Sequence, residues 1–470
     1  MTTEHGNLAL SGPVLRTFLY YTAASMVGLG AITTTSLVDG MFVGNYVGGD
    51  ALASVTLLVP CFTAAFAIAL MFAIGGSVAA GKHVGAGDLD SAAAVFSQTL
   101  IGTVVTSTTL ALLSLWFEGP LFRLLDVPTS LAPMVGEYFG IIRWVLVLQL
   151  TTMVLYYFVR ADGHPVLATT ALVVGAVGNI ALDALFVVHL ELGLAGAAYA
   201  TALAQVVQCG VLCRYFWSDA RTLRLELRQT RWGHLLQASY NGLSEFINEA
   251  SIGVVLWLLN HLIIARLGVT GVAAFSVVNY FIYLSLMLAY GIADTLHLVV
   301  SQNFGAGDRE RIRSFSATAL TSSLGLGVLL GAVLFVWREP LTGWFLAPED
   351  AAVGRQAVQL VQILWPLFLV NVSNVILSCY LTAIHRPGAS AVVAALRGLV
   401  LPVSLLLTFT ALLERSSFGE RLSEWAFLAA LPAAEWLTFG LALILSYRHR
   451  PARLALAARP PVTAGEPCPT

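Results

Sequence analysis

Charged residues are scarce in this sequence. Asp, Glu, Lys and Arg together make up 11% of its 470 residues, and hydrophobic residues make up 58%. A soluble domain carries about 25% charged residues, so the composition excludes an ordinary soluble enzyme and a disordered chain. The net charge of −2 also excludes a nucleic-acid-binding protein, which needs a basic surface. Because the apolar residues form long blocks, we predict a polytopic membrane protein.

Cysteines and targeting signals are scarce as well. The five cysteines include no CxxC pair, and buried cysteine usually behaves as a small hydrophobic residue, so we predict no metal, disulfide or cofactor at these positions. The N-terminal stretch MTTEHGNLALSGP has no basic region followed by a cleavage site, which argues against a signal peptide. Residues 450–470 are rich in Pro and Ala, and we expect a disordered tail there.

Twelve blocks are long enough to cross a bilayer, which takes about 20 apolar residues. Their approximate bounds are 14–43, 51–76, 91–116, 134–158, 165–188, 193–216, 233–262, 270–300, 312–337, 355–383, 388–413 and 421–446. A basic connector at 218–232 divides them into an N-lobe, 1–217, and a C-lobe, 233–449. The predicted fold class is therefore all-α, with six transmembrane helices in each lobe.

The distribution of basic residues predicts the orientation. Sixteen of the 24 Lys and Arg residues fall on the side of the N-terminus, six fall on the other side, and Arg143 and Arg397 lie inside spans. Cytoplasmic loops carry an excess of Lys and Arg. We therefore expect both termini in the cytoplasm and the protein in the plasma (inner) membrane, in contact with membrane lipid.

An internal duplication indicates transport. GGDALASVTLL from Gly48 matches GVTGVAAFSVV from Gly268, and KHVGAGD and QNFGAGD repeat at the same offset of 220 residues, ending at Asp88 and Asp308. Parallel halves related by an axis along the membrane normal are typical of transporters. The GAGD segments lack the GxxxxGK[ST] pattern of a phosphate loop, and we interpret each as a tight turn whose Asp caps the next helix.

Acidic side chains inside the N-lobe spans predict a cation-coupling site. Asp39 in the first span, together with Asn179 and Asp183 on one face of the fifth, can share one layer of the lobe. Two carboxylates in a low-dielectric pocket titrate as a pair, so the site can take up H⁺, or hold Na⁺ if more oxygens converge. The duplicate lacks these acids, since Leu259, Leu401 and Leu405 occupy the corresponding positions.

The C-lobe spans carry a different set of ionisable residues. Glu245 and Glu249 are four residues apart in the seventh span, and Asp294 and His297 are three apart in the eighth. We predict these four for the substrate cavity, although Asp294 and His297 could simply bond each other. Arg143 and Arg397 are candidate counter-ions for the acids, as is usual for charges at membrane depth.

The chain resembles the multidrug and toxic compound extrusion (MATE) transporters, and within them the prokaryotic DNA-damage-inducible F branch. The resemblance covers roughly 13–446 and rests on LVDGMFVGNYVGGDALASVT, VGAGD, RADGHP followed by NIALD, GLAGAAYATALAQ, QNFGAGD and LRGLVLP. It implies two lobes in a V around a central cleft. It also implies that Asp39 changes protonation during transport, that Asn179 and Asp183 join it, and that Tyr138 and Thr201 line the same cavity.

Two departures from the family pattern bear on ion and substrate preference. Ile32 stands where relatives often have a polar residue, and Asp294 stands where this branch often has glutamine. Either difference can change the ion or the substrate that the protein accepts.

The sequence therefore predicts a secondary active antiporter. It would export organic, cationic or amphipathic small molecules in exchange for H⁺ or Na⁺, as a monomer without a cofactor. The alternative within the class is a lipid-linked precursor flippase, which the excess of acids over bases in the spans disfavours. An intramembrane enzyme is disfavoured because HExxH, GxSxG and a facing Ser–His pair are all missing, and a channel remains a third alternative.

Overall fold

The computed structural model describes residues 7–226, 232–343, 351–415 and 425–454. Within these ranges the chain is helical and connected by turns, without a β-strand. Twelve helices in the described ranges are long and apolar enough to cross a membrane. They are Val14–Val47, Gly49–Gly85, Leu89–Trp116, Ala132–Ala161, Pro165–His189, Gly193–Trp217, Leu243–Gly268, Thr270–Gly305, Arg309–Val336, Val353–Ala383, Pro387–Leu413 and Ala426–Arg448, and we number them span 1 to span 12. Short α-helices occupy Leu8–Ser11, Glu118–Leu124, Gly233–Asn241 and Arg338–Gly343.

All twelve predicted spans are confirmed, and the largest difference lies at the start of span 7. The prediction begins this span at residue 233, whereas the structure has a separate short helix, Gly233–Asn241, and begins the span at Leu243. The break falls at Gly242, where a Cβ would lie 2.0 Å from the carbonyl oxygen of Met71. Glu245 is consequently in the first turn of its span.

Glycines at equivalent positions confirm the internal duplication. Gly48 and Gly268 both have positive φ, 115° and 66°, and each separates two consecutive spans. Gly87 and Gly307, in the two GAGD turns, have φ of 77° and 70°. Positive φ is accessible to glycine at little cost, so the repeated sequence motifs correspond to repeated backbone geometry.

The two GAGD turns are helix caps, as the sequence predicts. The Asp88 carboxylate accepts a hydrogen bond of 3.1 Å from the backbone N–H of Ser91. Asp308 accepts one of 3.0 Å from the N–H of Arg311 in the same way. We call the end of the helical bundle that carries these turns the turn end, and the opposite end the far end.

The lobes meet most closely where spans 2 and 8 cross at the turn end. A Cβ on Gly85 would lie 1.8 Å from the carbonyl oxygen of Gln302, and one on Gly305 would lie 1.8 Å from that of Lys82. The crossing is reciprocal because Gly85 and Gly305 are equivalent in the duplication. The Gln302 side chain also donates to the Ala161 carbonyl at 2.7 Å. These contacts bring the two backbones into direct contact and close the turn end.

The connector and the start of the tail pack against the lobes. In the predicted linker, 218–232, the backbone N–H of Thr222 donates to Asp162 at 2.8 Å, and that of Glu226 donates to the Ser97 hydroxyl at 2.8 Å. Residues 227–231 lie outside the described residues. Residues 455–470 of the predicted disordered tail also lie outside them, whereas Leu454 is buried and its carbonyl accepts from Arg309 at 3.0 Å. The segment 450–454 is therefore ordered, because Leu454 packs into the C-lobe core.

Substituting Gly85→Ala should destabilise the protein, because the new methyl group would overlap the backbone of span 8. Overpacking of this kind costs about 1–3 kcal/mol, and the thermal unfolding midpoint in detergent would fall. Gly253→Ala is the matched control, since a Cβ on this helical glycine meets no atom within 4 Å. Equal midpoints for the two variants would contradict the close crossing.

Candidate functional site

Asp39 and Asp183 both lie close to a change in helix type. Asp183 is the last residue of the α-helical part of span 5, and a π-helical segment, Ala184–His189, follows it directly. Asp39 lies one turn before the π-helical segment Val43–Val47 at the end of span 1. Such π-helical turns are rare in proteins as a whole, but those that occur are often found at functional sites. Hydrophobic periodicity does not reveal π-helical segments, so this feature could not be predicted from the sequence.

The carboxyl groups of Asp39 and Asp183 face each other. They are close enough for one, when protonated, to donate a hydrogen bond to the other. Asp183 is fully buried. Neither carboxylate oxygen of Asp183 has a hydrogen-bond partner, and the same is true of Oδ1 of Asp39 and Nδ2 of Asn179. In the part of the chain that the structure describes, neither acid is paired with Lys, Arg or His.

A cavity of about 260 Å³ opens beside this pair in the far half of the N-lobe. Asp39, Asn179, Tyr138 and Thr201 all line it, so the structure brings the predicted N-lobe residues together. Ile32, the apolar departure from the family pattern, is also part of its wall. Burial of polar groups without partners is costly. Asp39 and Asn179 belong to the wall of this cavity, whereas the fully buried Asp183 does not.

Three glutamines that sequence reasoning did not select complete the cavity wall. They are Gln149, Gln205 and Gln208, and Oε1 of Gln205 has no hydrogen-bond partner. The available signal was the three-residue spacing of Gln205 and Gln208 in an otherwise apolar span. Amide side chains can bind both an ion and a polar group of a substrate.

A larger cavity of about 430 Å³ lies mainly in the C-lobe and extends to the N-lobe wall. Glu245 and Glu249 line it as predicted, together with Leu259, the counterpart of Asp39. Polar, charged and tyrosine side chains form part of its wall: Tyr157, Asn248, Asn279, Tyr283, Tyr290, Asn371, Arg397 and Glu435. The other lining residues are apolar, including Leu29, Leu70 and Ile74 of the N-lobe. An amphipathic organic molecule fits this combination of an apolar wall and acidic groups.

The two arginines that the sequence predicts inside spans, Arg143 and Arg397, pair with different acids. Nε of Arg397 lies 3.2 Å from Oε1 of Glu435, across the C-lobe cavity wall. Arg143 forms an ion pair with Glu118 of the short helix Glu118–Leu124. Arg143 therefore does not neutralise a C-lobe acid. Arg143 lies towards the far end of span 4, beside the short helix Glu118–Leu124, which the sequence does not predict.

Asp294 and His297 do not line the large cavity, in contrast to the prediction. Asp294 forms a buried ion pair with Arg160 of span 4, with 3.1 Å between Oδ2 and Nη1. Both residues, with His297, line only a space of about 10 Å³, enough for about one water molecule. Asp294 and His297 also do not bond each other, because Asp294 is oriented towards the N-lobe and His297 towards Glu245.

Arg160 joins the two lobes below the large cavity. Besides Asp294, its guanidinium donates to the Thr295 hydroxyl at 3.1 Å and to the Tyr21 carbonyl at 3.4 Å. The Tyr157 hydroxyl donates to Asp294 at 3.4 Å. Arg160 lies just beyond the predicted fourth span, 134–158, and a pairing between the two halves has no signal in a single sequence. The pair fixes the turn end in a closed arrangement.

A comparison with known families gives a match to both lobes. The family model described as MatE matches residues 24–185 and 251–407, which is more than half of the chain. The chain belongs to the MatE family. MatE proteins are transporters and not enzymes, and the twelve-helix, two-lobe fold follows from this membership.

Individual relatives are distant but match the chain over most of its length. Multidrug export protein MepA of Staphylococcus saprophyticus is 20% identical over 390 residues, 83% of this chain and 86% of that protein. A FAD transporter of Shewanella oneidensis is 24% identical over 419 residues, 86% of this chain and 90% of that protein. A multidrug resistance MATE family transporter solved in an outward-facing conformation superposes with a TM-score of 0.86 at 20% identity, covering 97% and 100% of the two chains.

Two of these relatives are named for multidrug export or resistance, and one is named for transport of FAD. The resemblance to the DNA-damage-inducible F branch stays a prediction. The roles of Asp39, Asn179, Asp183 and the C-lobe acids also rest on their geometry and not on a relative.

Replacing Arg160 by Met should strongly destabilise the protein, because Asp294 would remain buried without a counter-charge. Removing one partner of a buried ion pair costs about 3–5 kcal/mol. The double variant Arg160→Met/Asp294→Leu removes both charges and should recover much of the loss in thermal unfolding midpoint. A double variant as unstable as the single one would show that the pair does not account for the effect.

Proposed function

We propose that this protein is a secondary active antiporter that exports organic cations in exchange for H⁺ or Na⁺. The observation that carries the proposal is the pair Asp39 and Asp183, whose carboxyl groups face each other beside a cavity without a basic partner. A single chain contains both lobes and both cavities, so we expect it to act as a monomer.

The N-lobe pair is the proposed coupling site. Two carboxylates at hydrogen-bonding distance repel each other, and one bound proton converts this repulsion into a hydrogen bond. Na⁺ would do the same if the side-chain oxygens of Asn179, Tyr138 and Thr201 completed its coordination. In either case the bound cation removes one unpaired buried charge, which is the energetic basis of its affinity.

Coupling follows from the position of the pair between spans 1 and 5. Because the two acids belong to different helices, a bound cation draws these helices together and its release separates them. The N-lobe cavity would change shape when the cation binds or leaves. The lobes could then open the substrate cavity to one end of the bundle and afterwards to the other. The Arg160–Asp294 pair and the Gly85–Gly305 crossing must open when the turn end becomes accessible.

The coupling energy limits the substrate gradient. One charge moving through 100 mV gives about 2.3 kcal/mol, and one unit of pH difference gives about 1.4 kcal/mol. Since 1.4 kcal/mol corresponds to about tenfold in concentration, a single ion supports a substrate gradient of about tenfold to a few hundredfold.

The charge of the large cavity supports a cationic substrate. Its wall has three glutamates, Glu245, Glu249 and Glu435, and one arginine, Arg397, which is already paired with Glu435. A flippase for a lipid-linked pyrophosphate would need the opposite sign. The name of the Shewanella relative, a FAD transporter, belongs to that protein, and the acidic cavity here favours cations instead.

The turn end is the proposed cytoplasmic end, with both chain termini on that side, because it carries the excess of Lys and Arg. A green fluorescent protein fused after residue 470 should fluoresce in cells, and alkaline phosphatase at the same position should be inactive. An active phosphatase fusion would reverse the orientation.

Substituting Asp39→Asn or Asp183→Asn should abolish coupled export, because the amide cannot take up a proton and binds Na⁺ weakly. The measurement is efflux of a fluorescent organic cation from proteoliposomes under an imposed H⁺ gradient and then under an imposed Na⁺ gradient.

Asp50→Asn is the matched control, since this acid is exposed in the first turn of span 2 and should leave transport unchanged. Wild-type coupling in both Asp39→Asn and Asp183→Asn would disprove the assignment of the site.

Replacing Glu249 by Gln should weaken binding of a cationic substrate by about tenfold while leaving a neutral analogue nearly unaffected, the size expected for losing roughly 1.4 kcal/mol of charge attraction. Binding to the purified protein is measured by fluorescence polarisation. The exposed Glu137 provides the control variant, Glu137→Gln. Equal losses for the cationic and neutral ligands would mean that Glu249 contributes shape and not charge.

A further inference from the structure

Three potential metal ligands converge beneath the large cavity. Glu245, His297 and Cys379 come from spans 7, 8 and 10, and one ligand atom from each lies within 4.8 Å of the other two. Oε1 of Glu245 is 4.0 Å from Nε2 of His297. Their exposed fractions are 5%, 5% and 2%. The proposed antiport mechanism does not use His297 or Cys379.

Three polar atoms of this cluster lack hydrogen-bond partners. Both ring nitrogens of His297 and Oε1 of Glu245 are buried without a hydrogen bond. A buried polar atom without a partner costs about 1–3 kcal/mol. A bound ion that accepts lone pairs from these atoms would remove it.

The donor set selects the kind of ion. Zn²⁺ binds thiolate sulfur, imidazole nitrogen and carboxylate oxygen at roughly 2.0–2.3 Å, which places neighbouring ligand atoms about 3.4 Å apart in a tetrahedron. The flexible Glu245 side chain can close the difference from the observed 4.0 Å. Na⁺ and Mg²⁺ prefer oxygen ligands, whereas sulfur and imidazole favour Zn²⁺ and related ions.

The surrounding charges also favour a divalent cation. Arg160 is paired with Asp294, and Arg397 is paired with Glu435, so these four charges cancel. Glu249 lies close to Glu245, and the two glutamates leave an excess negative charge next to the cluster. A doubly charged ion would balance it.

We propose that Glu245, His297 and Cys379 bind one Zn²⁺ or a chemically similar divalent ion. The bound ion would connect spans 7, 8 and 10 and reduce the negative charge at the base of the large cavity. Cys379 would therefore be a metal ligand, whereas the sequence analysis treats it as a small hydrophobic residue. The proposal is independent of ion coupling, because metal binding is measured without transport.

Zn²⁺ binding is tested on the full-length protein in detergent, after removal of metal with a chelator. Titration against a fluorescent zinc chelator should show one tightly bound Zn²⁺ per chain. Co²⁺ should give the absorption of a cobalt–thiolate bond in the near ultraviolet. Cys379→Ser and His297→Gln should each weaken Zn²⁺ binding by more than about tenfold. Even substitution of a residue that only supports a metal ligand lowers metal affinity by about 10–100-fold.

Control variants separate this site from other thiols and imidazoles. Cys209→Ser is the principal control, because Sγ of Cys209 lies 4.0 Å from Sγ of Cys213 and offers a competing thiol pair. Cys61→Ser and His261→Gln should also leave Zn²⁺ binding unchanged.

Folding of each variant is checked by its thermal unfolding midpoint, which Zn²⁺ should raise in the wild type and the controls but not in the ligand variants. Glu245→Gln provides a third ligand variant if either of the first two fails to fold. Absence of stoichiometric Zn²⁺ binding, or equal affinity in the ligand variants and the controls, would overturn the proposal.

Discussion

Two carboxyl groups that face each other without a counter-charge impose the main constraint on this structure. Two other acids inside the spans have an arginine as a partner: Asp294 has Arg160, and Glu435 has Arg397. In the described ranges, Asp39 and Asp183 have no such partner and face each other. We propose that such a site is stable with one cation bound and strained without it, so that its occupancy is linked to the arrangement of spans 1 and 5. The wide helical turns beside both acids lie where such a rearrangement would begin.

The duplicated fold has become chemically asymmetric. Leu259 occupies the position equivalent to Asp39, and it lines the large cavity where Asp39 lines the small one. The N-lobe therefore has the unpaired acids and the polar cavity, while the C-lobe has the larger, mainly apolar cavity with acidic groups at its base. This division is consistent with separate sites for the driving ion and for an amphipathic substrate. The two lobes meet at the closed turn end, where the Gly85–Gly305 crossing keeps the symmetry of the duplication.

The frame of the protein could be predicted from the sequence, and its long-range pairings could not. Apolar length defines the twelve spans, and glycine and capping residues define the GAGD turns, because each is a local property of the chain. The grouping of Asp39 with Asp183 was also accessible, since helix rise places both acids at the same depth.

The Arg160–Asp294 pair was not accessible, because its partners lie in different halves and only tertiary packing brings them together. The same holds for Arg143, whose partner belongs to a short helix that hydropathy did not reveal. The separate helix Gly233–Asn241 illustrates a further limit: an apolar block can contain a sharp turn where a glycine meets a neighbouring backbone.

In the proposed mechanism, binding of the substrate releases the driving ion from Asp39 and Asp183. The most direct measurement is the number of ions released when purified protein in a weakly buffered solution is saturated with a fluorescent organic cation, with H⁺ followed by an indicator dye and Na⁺ by a sodium electrode. The account predicts release of H⁺ or Na⁺ in a fixed ratio to the substrate bound, and no release from a variant that carries both Asp39→Asn and Asp183→Asn. Full substrate binding without release of either ion from the wild-type protein would contradict it.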